Sequence, residues 1–154
     1  MIRSVLSIML ILPAAAQAQT AREAATVVMP AHPEALKFQT EYGFADAIVT
    51  GDTIYLSGVV AGPALTKADL PAAYEQAFAR IAAILKRAGA DWGDVVDITT
   101  FHTDLPGQVE AISAVKNKWV KAPFPTWTAI GITALYEPSA VTEIKVVAKV
   151  RPKK

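Results

Sequence analysis

Between residues 69 and 89 the chain carries an apolar stripe that only a helix laid against another layer can bury. Tyr74, Ala77, Phe78, Ile81, Leu85 and Ala88 recur at spacings of three and four, the period of one helix face. Asp69 suits the position that caps the first turn. Pro71 falls inside that turn, where its missing N–H costs little. Lys86 and Arg87 stand in the last turn and Gly89 just beyond it, which completes the signature of a helix end.

What that helix covers is read from the β-branched runs around it. Ala47–Thr50 and Thr53–Ser57 flank Gly51-Asp52, a spacing that signals a hairpin. Gly58 and Gly62-Pro63 close the second strand. Val95–Thr103 is a third strand, rich in Val, Ile and Thr. Leu105-Pro106-Gly107 breaks it, and a second helix runs to about Trp119 with Val109, Ile112, Val115 and Trp119 inward. Pro123 and Pro125 end that segment. Strands over Thr126–Ala134 and Val141–Val150 follow, joined through Glu137-Pro138-Ser139. No internal repeat is present.

The predicted order is β-β-α-β-α-β-β, an α/β (α+β) chain with a mixed sheet and both helices on one face. The last strand then turns Glu143, Lys145, Val147 and Lys149 to the opposite face, which is either wet or set against another subunit. Residues 42–154 form the one domain expected of 154 residues. Residues 19–41, rich in Ala, Thr and Pro without periodicity, read as an extended lead-in.

Residues 1–18 read as an export signal. Arg3 gives a positive start, Val5–Leu12 an apolar run, and Ala16-Gln17-Ala18 a small-x-small cleavage pattern. The run is far shorter than the roughly 20 residues that span a bilayer. Cleavage after Ala18 is expected, giving a periplasmic or secreted protein with no membrane anchor. It removes one of 15 basic residues and none of 14 acidic ones, leaving a mature chain of zero net charge with His neutral. A nucleic-acid partner, which needs clustered Lys and Arg, is not expected from such a chain.

The chain has no cysteine and two histidines, so thiolate chemistry is excluded and a metal site is not expected. His32 stands in the lead-in. His102 alternates with Thr100 and Asp104 along its strand, where a lone histidine is more often structural than catalytic. No Ser-His-Asp pattern and no phosphate-binding glycine loop occurs.

Three stretches together resemble the RidA (YjgF) family of enamine/imine deaminases over about residues 42–150. Gly51-Asp52-Thr53-Ile54-Tyr55-Leu56-Ser57-Gly58 is similar to the family's GD-apolar-SG hairpin. Gln76 to Leu85, Ala88-Gly89-Ala90, Asp94-Val95-Val96, Thr99 and Asp104 follow its helix, AG, DVV and T-x-x-x-x-D pattern. Phe124-Pro125-Thr126-Trp127-Thr128-Ala129 and Glu143-Ile144-Lys145 stand where the family carries P-A-R and E-I-E. The resemblance implies a chorismate-mutase-like fold, a homotrimer around a barrel-like core, and small-molecule clefts between subunits. In those clefts 2-imino and 2-enamino acids are hydrolysed to 2-keto acids and ammonia, with no cofactor.

It also implies which residues carry the site. Ser57 retains the hairpin serine, and Phe44 matches an aromatic over the cleft but lacks its hydroxyl. Trp127 stands in place of the Arg that grips the substrate carboxylate, beside Thr126 as a substrate contact. Ser113 takes the place of a helix asparagine, and Lys145 that of the glutamate that positions water. A charge-assisted Arg pair contributes roughly 1.5–3 kcal/mol, about one to two decades of binding. Its loss leaves three readings open. Recognition is altered, with Trp127 stacking on a ligand or Lys145 anchoring its carboxylate from a neighbouring strand; or family-type deamination persists; or the cleft binds without turnover, as a ligand-binding or holdase-like stress protein. Glu143 is a general base in the first of these. Otherwise it is a surface ion-pair partner of Lys145.

Overall fold

The computed structural model describes residues 19–151, so the expected signal segment lies outside the described residues. The elements are β1 (Thr26–Val28), α1 (Pro33–Tyr42), β2 (Ala47–Thr50), β3 (Thr53–Leu56), β4 (Val59–Ala61), α2 (Leu70–Arg87), β5 (Val95–His102), α3 (Leu105–Trp119), β6 (Thr126–Gly131) and β7 (Thr142–Lys149). The seven predicted elements are present. Three more, β1, α1 and β4, were not expected.

The strands form one mixed sheet in the order β1-β2-β3-β7-β5-β6, with β4 also paired to β7. Only β5 and β6 run parallel; the other pairs are antiparallel. Gly51 holds the β2–β3 turn at φ 58, a conformation that favours glycine.

α2 buries Tyr74, Ala77, Phe78, Ile81 and Leu85, each without solvent exposure, against the sheet face that carries Ile144, Val146 and Ala148 of β7. Its start differs from the sequence reading. Asp69 belongs to a short 3-10 turn, and its carboxylate accepts from the Thr66 N–H at 2.8 Å and the Thr66 hydroxyl at 2.9 Å. The cap therefore sits one turn earlier.

α3 begins at Leu105, so Leu105-Pro106-Gly107 opens the helix instead of breaking the chain. The Asp104 carboxylate caps it, accepting from the Gly107 N–H at 3.2 Å. Its inward residues are Gln108, Ile112, Val115 and Lys116, while Val109 faces solvent. The register is turned so that Gln108 meets a polar patch beneath it.

The lead-in is not extended throughout. Thr26–Val28 adds an edge strand to β2, and Pro33–Tyr42 is helical, ending at Gly43 with φ 71. α1 buries only Gln39, whose amide donates to Asp46 Oδ1 at 2.7 Å. Arg87 at the end of α2 pairs with the same Asp46. These contacts tie the end of α1 to the sheet and set where Phe44 projects.

Candidate active-site cleft

On the sheet face away from α2 lies a cleft of about 990 Å³. Its walls are the end of α1 with Gly43 and Phe44, the end of β3 from Tyr55 through Ser57 and Gly58, and Glu143 and Lys145 of β7. The segment Thr20–Met29 supplies its remaining rim through Arg22, Glu23 and Val27. The alternation of β7 buries Thr142, Ile144, Val146 and Ala148 under the helices and turns Glu143 and Lys145 the other way.

Glu143 is held by shape. A Cβ built on Gly58 would lie 2.2 Å from Glu143 Oε1 and 2.4 Å from its Cδ. The carboxyl therefore crosses the bare Cα of Gly58, a position closed to any other residue type at 58. The expected Glu143–Lys145 ion pair is absent: neither residue takes part in any salt bridge among the described residues. Both charges face the cleft without an ionic partner.

Ser57 is a fixed part of the wall. Its hydroxyl donates to the Ala45 carbonyl at 2.6 Å and its N–H to the Asp46 carbonyl at 2.9 Å. The hydroxyl proton is spent on a carbonyl and no base attends it, so the oxygen can accept from a ligand but is not prepared as a nucleophile.

Phe44, Ser57, Glu143 and Lys145 thus meet in one cleft, and Trp127, Thr126 and Ser113 do not join them within the chain. β5 lies between β6 and β7, so Lys145 is not on the strand next to Trp127, and the two point to opposite faces. Trp127 lies on the helix side. Its indole N–H donates to Thr100 Oγ1 at 3.1 Å, and the Lys116 ammonium stands 4.7 Å from its ring centroid. Lys116 is only 9% exposed, bonds to Asn117 Oδ1 at 2.9 Å and has no carboxylate partner among the described residues. Burial accordingly pulls its pKa down. Thr126 faces the open side, where its hydroxyl meets Asp97 Oδ1 at 2.5 Å.

His102 is a core residue with no solvent exposure. Nε2 lies 2.9 Å from Thr100 Oγ1, and Nδ1 3.2 Å from both Gln108 Oε1 and Thr142 Oγ1. Burial holds its pKa below the usual histidine value, against a smaller upward pull from Gln108. No group of three His, Asp or Glu residues that could hold a metal occurs among the described residues. Gly58, Gln39 and Lys116 escaped the sequence reading of the site. Only Gly58 carried a signal, as the glycine after Ser57.

The mixed sheet covered by helices on one face, with a cleft on the other, defines an α+β fold of the YjgF/chorismate-mutase-like kind. Residues 34–150 match the family model described as Endoribonuclease L-PSP, and the chain belongs to this YjgF/RidA family. It is 37% identical over 128 residues to the RutC family protein YjgH of Escherichia coli (strain K12), covering 81% of this chain and 95% of that one. It is 30% identical over 105 residues to the 2-iminobutanoate/2-iminopropanoate deaminase of Dermatophagoides farinae, covering 60% and 74%. The crystal structure of Rv2704, a YjgF/YER057c/UK114 family member from Mycobacterium tuberculosis, superposes with a TM-score of 0.71 at 25% identity, covering 82% and 99%. RidA from an Antarctic Psychrobacter shares the fold at a TM-score of 0.63 and 23% identity, covering 86% and 97%.

Proposed function

We propose that the protein is an exported, homotrimeric hydrolase of reactive imines and enamines, a deaminase acting on C–N bonds without a cofactor. The observation that carries this reading is the Glu143 carboxyl, laid over Gly58 inside the cleft without an ion-pair partner among the described residues. A relative at 30% identity, named as an imine deaminase, supports the class of reaction.

The chemistry asks for little beyond a held substrate and a placed water. An enamine first moves a proton from nitrogen to its terminal carbon, giving the imine. Water then attacks the imine carbon, passing one proton to Glu143 as its oxygen bonds and the C=N pair retreats onto nitrogen. Glu143 returns that proton to nitrogen, then carries the proton of the new hydroxyl to the same nitrogen, and the C–N bond breaks, so that ammonia leaves as the ketone forms. Lys145, two residues along on the same face of β7, provides the positive charge for a substrate carboxylate. In the family pattern that charge comes from the Arg replaced here by Trp127.

Assembly completes the site on this reading. Ser113, Thr126 and Trp127 lie away from the cleft of their own chain, and the open sheet face bears half-exposed Phe101 and Val147. Packing those faces together as a trimer brings the β6 edge of one subunit to the cleft of the next.

The direct test generates 2-imino acids in situ and follows their loss against semicarbazide trapping. The wild-type chain accelerates hydrolysis over buffer, and Glu143→Gln lowers kcat at least about 100-fold, the contribution of a general base. No acceleration by the wild type on any imine offered sinks the reading and leaves a ligand-binding protein.

A further inference from the structure

We infer that the cleft selects substrates with an aromatic side chain, an inference that rests on the imine-hydrolase reading and specifies its substrate class. A cleft of about 990 Å³ lies at the upper end of the roughly 300–1,000 Å³ range that encloses drug-sized ligands. The β6 edge of the next subunit fills part of that volume in the trimer proposed above, so the walls of the cleft bear on the ligand more than its size does. The charged groups, Glu143 and Lys145, fall on one strand. Tyr55, 46% exposed, and Phe44, 39% exposed, supply apolar wall.

Phe44 is also the inner end of a ladder of exposed rings. Phe38 meets it edge to face, with centroids 6.0 Å apart and planes at 87°. Tyr42 lies 4.5 Å from Phe38, and Tyr136 lies 5.9 Å from Tyr42 with their hydroxyls bonded at 2.9 Å. Phe38 and Tyr42 are 41% and 55% exposed, and Tyr136 75%. A contiguous apolar surface of this kind marks a site of binding, and Phe44 is the ring of the ladder that also lines the cleft. Phe44 keeps 39% of its surface exposed, enough for a ligand ring to meet it offset-stacked or edge to face, the arrangements aromatic pairs prefer.

The test compares 2-keto acids, the products of the proposed reaction, by titration calorimetry on the mature chain. Phenylpyruvate binds at least ten-fold tighter than pyruvate, about 1.4 kcal/mol. Phe44→Ala brings the two within about two-fold, and Phe44→Tyr keeps the preference. Phe38→Ala weakens phenylpyruvate without affecting pyruvate and serves if Phe44→Ala fails to fold. Equal affinity for both keto acids overturns the inference, even where imines are turned over. An absence of turnover with retained aromatic preference sinks the hydrolase reading alone. Should Phe38→Ala and Tyr42→Ala change the sedimentation of the protein and not its ligand preference, the ladder is a contact between copies and the inference fails.

Discussion

Trp127 donates its indole N–H to the Thr100 hydroxyl at 3.1 Å, and through that contact the edge strand joins a chain of buried side-chain hydrogen bonds. One set of donors satisfies it throughout. Thr100 O–H donates to His102 Nε2, His102 Nδ1–H donates to Gln108 Oε1, and Thr142 O–H donates to the same oxygen. Tyr74 O–H then donates to Thr142 at 2.9 Å, and the Gln108 amide to Thr103. In this set His102 is the Nδ1–H tautomer; in the other, Nε2–H donates to Thr100 Oγ1, whose own proton goes to the Thr128 carbonyl at 3.3 Å, and Thr142 donates to Nδ1. Each hydroxyl and ring nitrogen in it has a hydrogen-bond partner, the condition under which a buried polar network stabilises a unique packing.

Placing an Arg at position 127 is therefore not a simple change. Trp127→Arg sets a guanidinium beside the Lys116 ammonium, which now lies 4.7 Å from the indole centroid. It also empties the indole pocket. Two cations about 5 Å apart at an effective dielectric near 20 repel by about 3 kcal/mol, and urea melts should show a loss of that order. Adding Lys116→Met removes the repulsion and should recover most of the stability. If Trp127→Arg is as stable as the wild type, Lys116 does not stand over residue 127.

Acid should destabilise the fold through His102. Its folded pKa is lowered, chiefly by burial, so the folded state disfavours the proton that an unfolded histidine takes up near pH 6.5. Stability from this group is full above about pH 6.5 and declines as pH falls below that value toward the depressed folded pKa. His102→Asn should remove this slope between about pH 7 and 5, while costing about 2 kcal/mol at pH 8 through the broken network. Denaturant titrations across that range measure both. A wild-type stability flat from pH 8 to 5 contradicts the assignment of His102 as a buried neutral residue.

Legibility in the sequence followed how local the signal was. The stripe from Tyr74 to Ala88 specifies α2 because a helix face repeats within its own residues, and Gly51-Asp52 specifies the β2–β3 turn in the same way. α1 has no such stripe: it buries Gln39 alone and is held by Asp46, seven residues away. β4 is three residues between two glycines, too short to show alternation. In α3 the inward place belongs to Gln108 and not to Val109, because the surface beneath is His102 and Thr142, and only the folded sheet brings those together. The resemblance named Ser57, Phe44, Glu143 and Lys145 for the site, and alternation along β7 gave Glu143 and Lys145 a common face. It could not show that a strand separates Lys145 from Trp127, or that the indole is already in use within the core.

Gly62 illustrates a glycine required by the fold. Its φ is 146, and a Cβ there would lie 2.8 Å from the Ser139 carbonyl oxygen and 2.9 Å from the Ala140 Cα. Both neighbours are backbone and cannot swing aside. Gly62→Ala should cost about 2–3 kcal/mol, read as a lower melting temperature, and should leave the ligand preference of the surviving folded protein unchanged.

The same substitution four residues earlier should separate function from stability. At Gly58 the added methyl meets only the Glu143 side chain, at 2.2 Å from Oε1 and 2.7 Å from Cγ, and the backbone of residue 58 has no left-handed φ to strain. A half-exposed glutamate can rotate out over the cleft, so Gly58→Ala should change stability by no more than about 1 kcal/mol. The carboxyl proposed to act on the attacking water would nevertheless be displaced by more than 1 Å, which is enough to cost about 100-fold in rate. Imine turnover and a urea melt on the one variant decide the matter. A normal melt with activity lost to the level of Glu143→Gln is expected. Full activity would mean that the position of Glu143 over Gly58 plays no part in the chemistry.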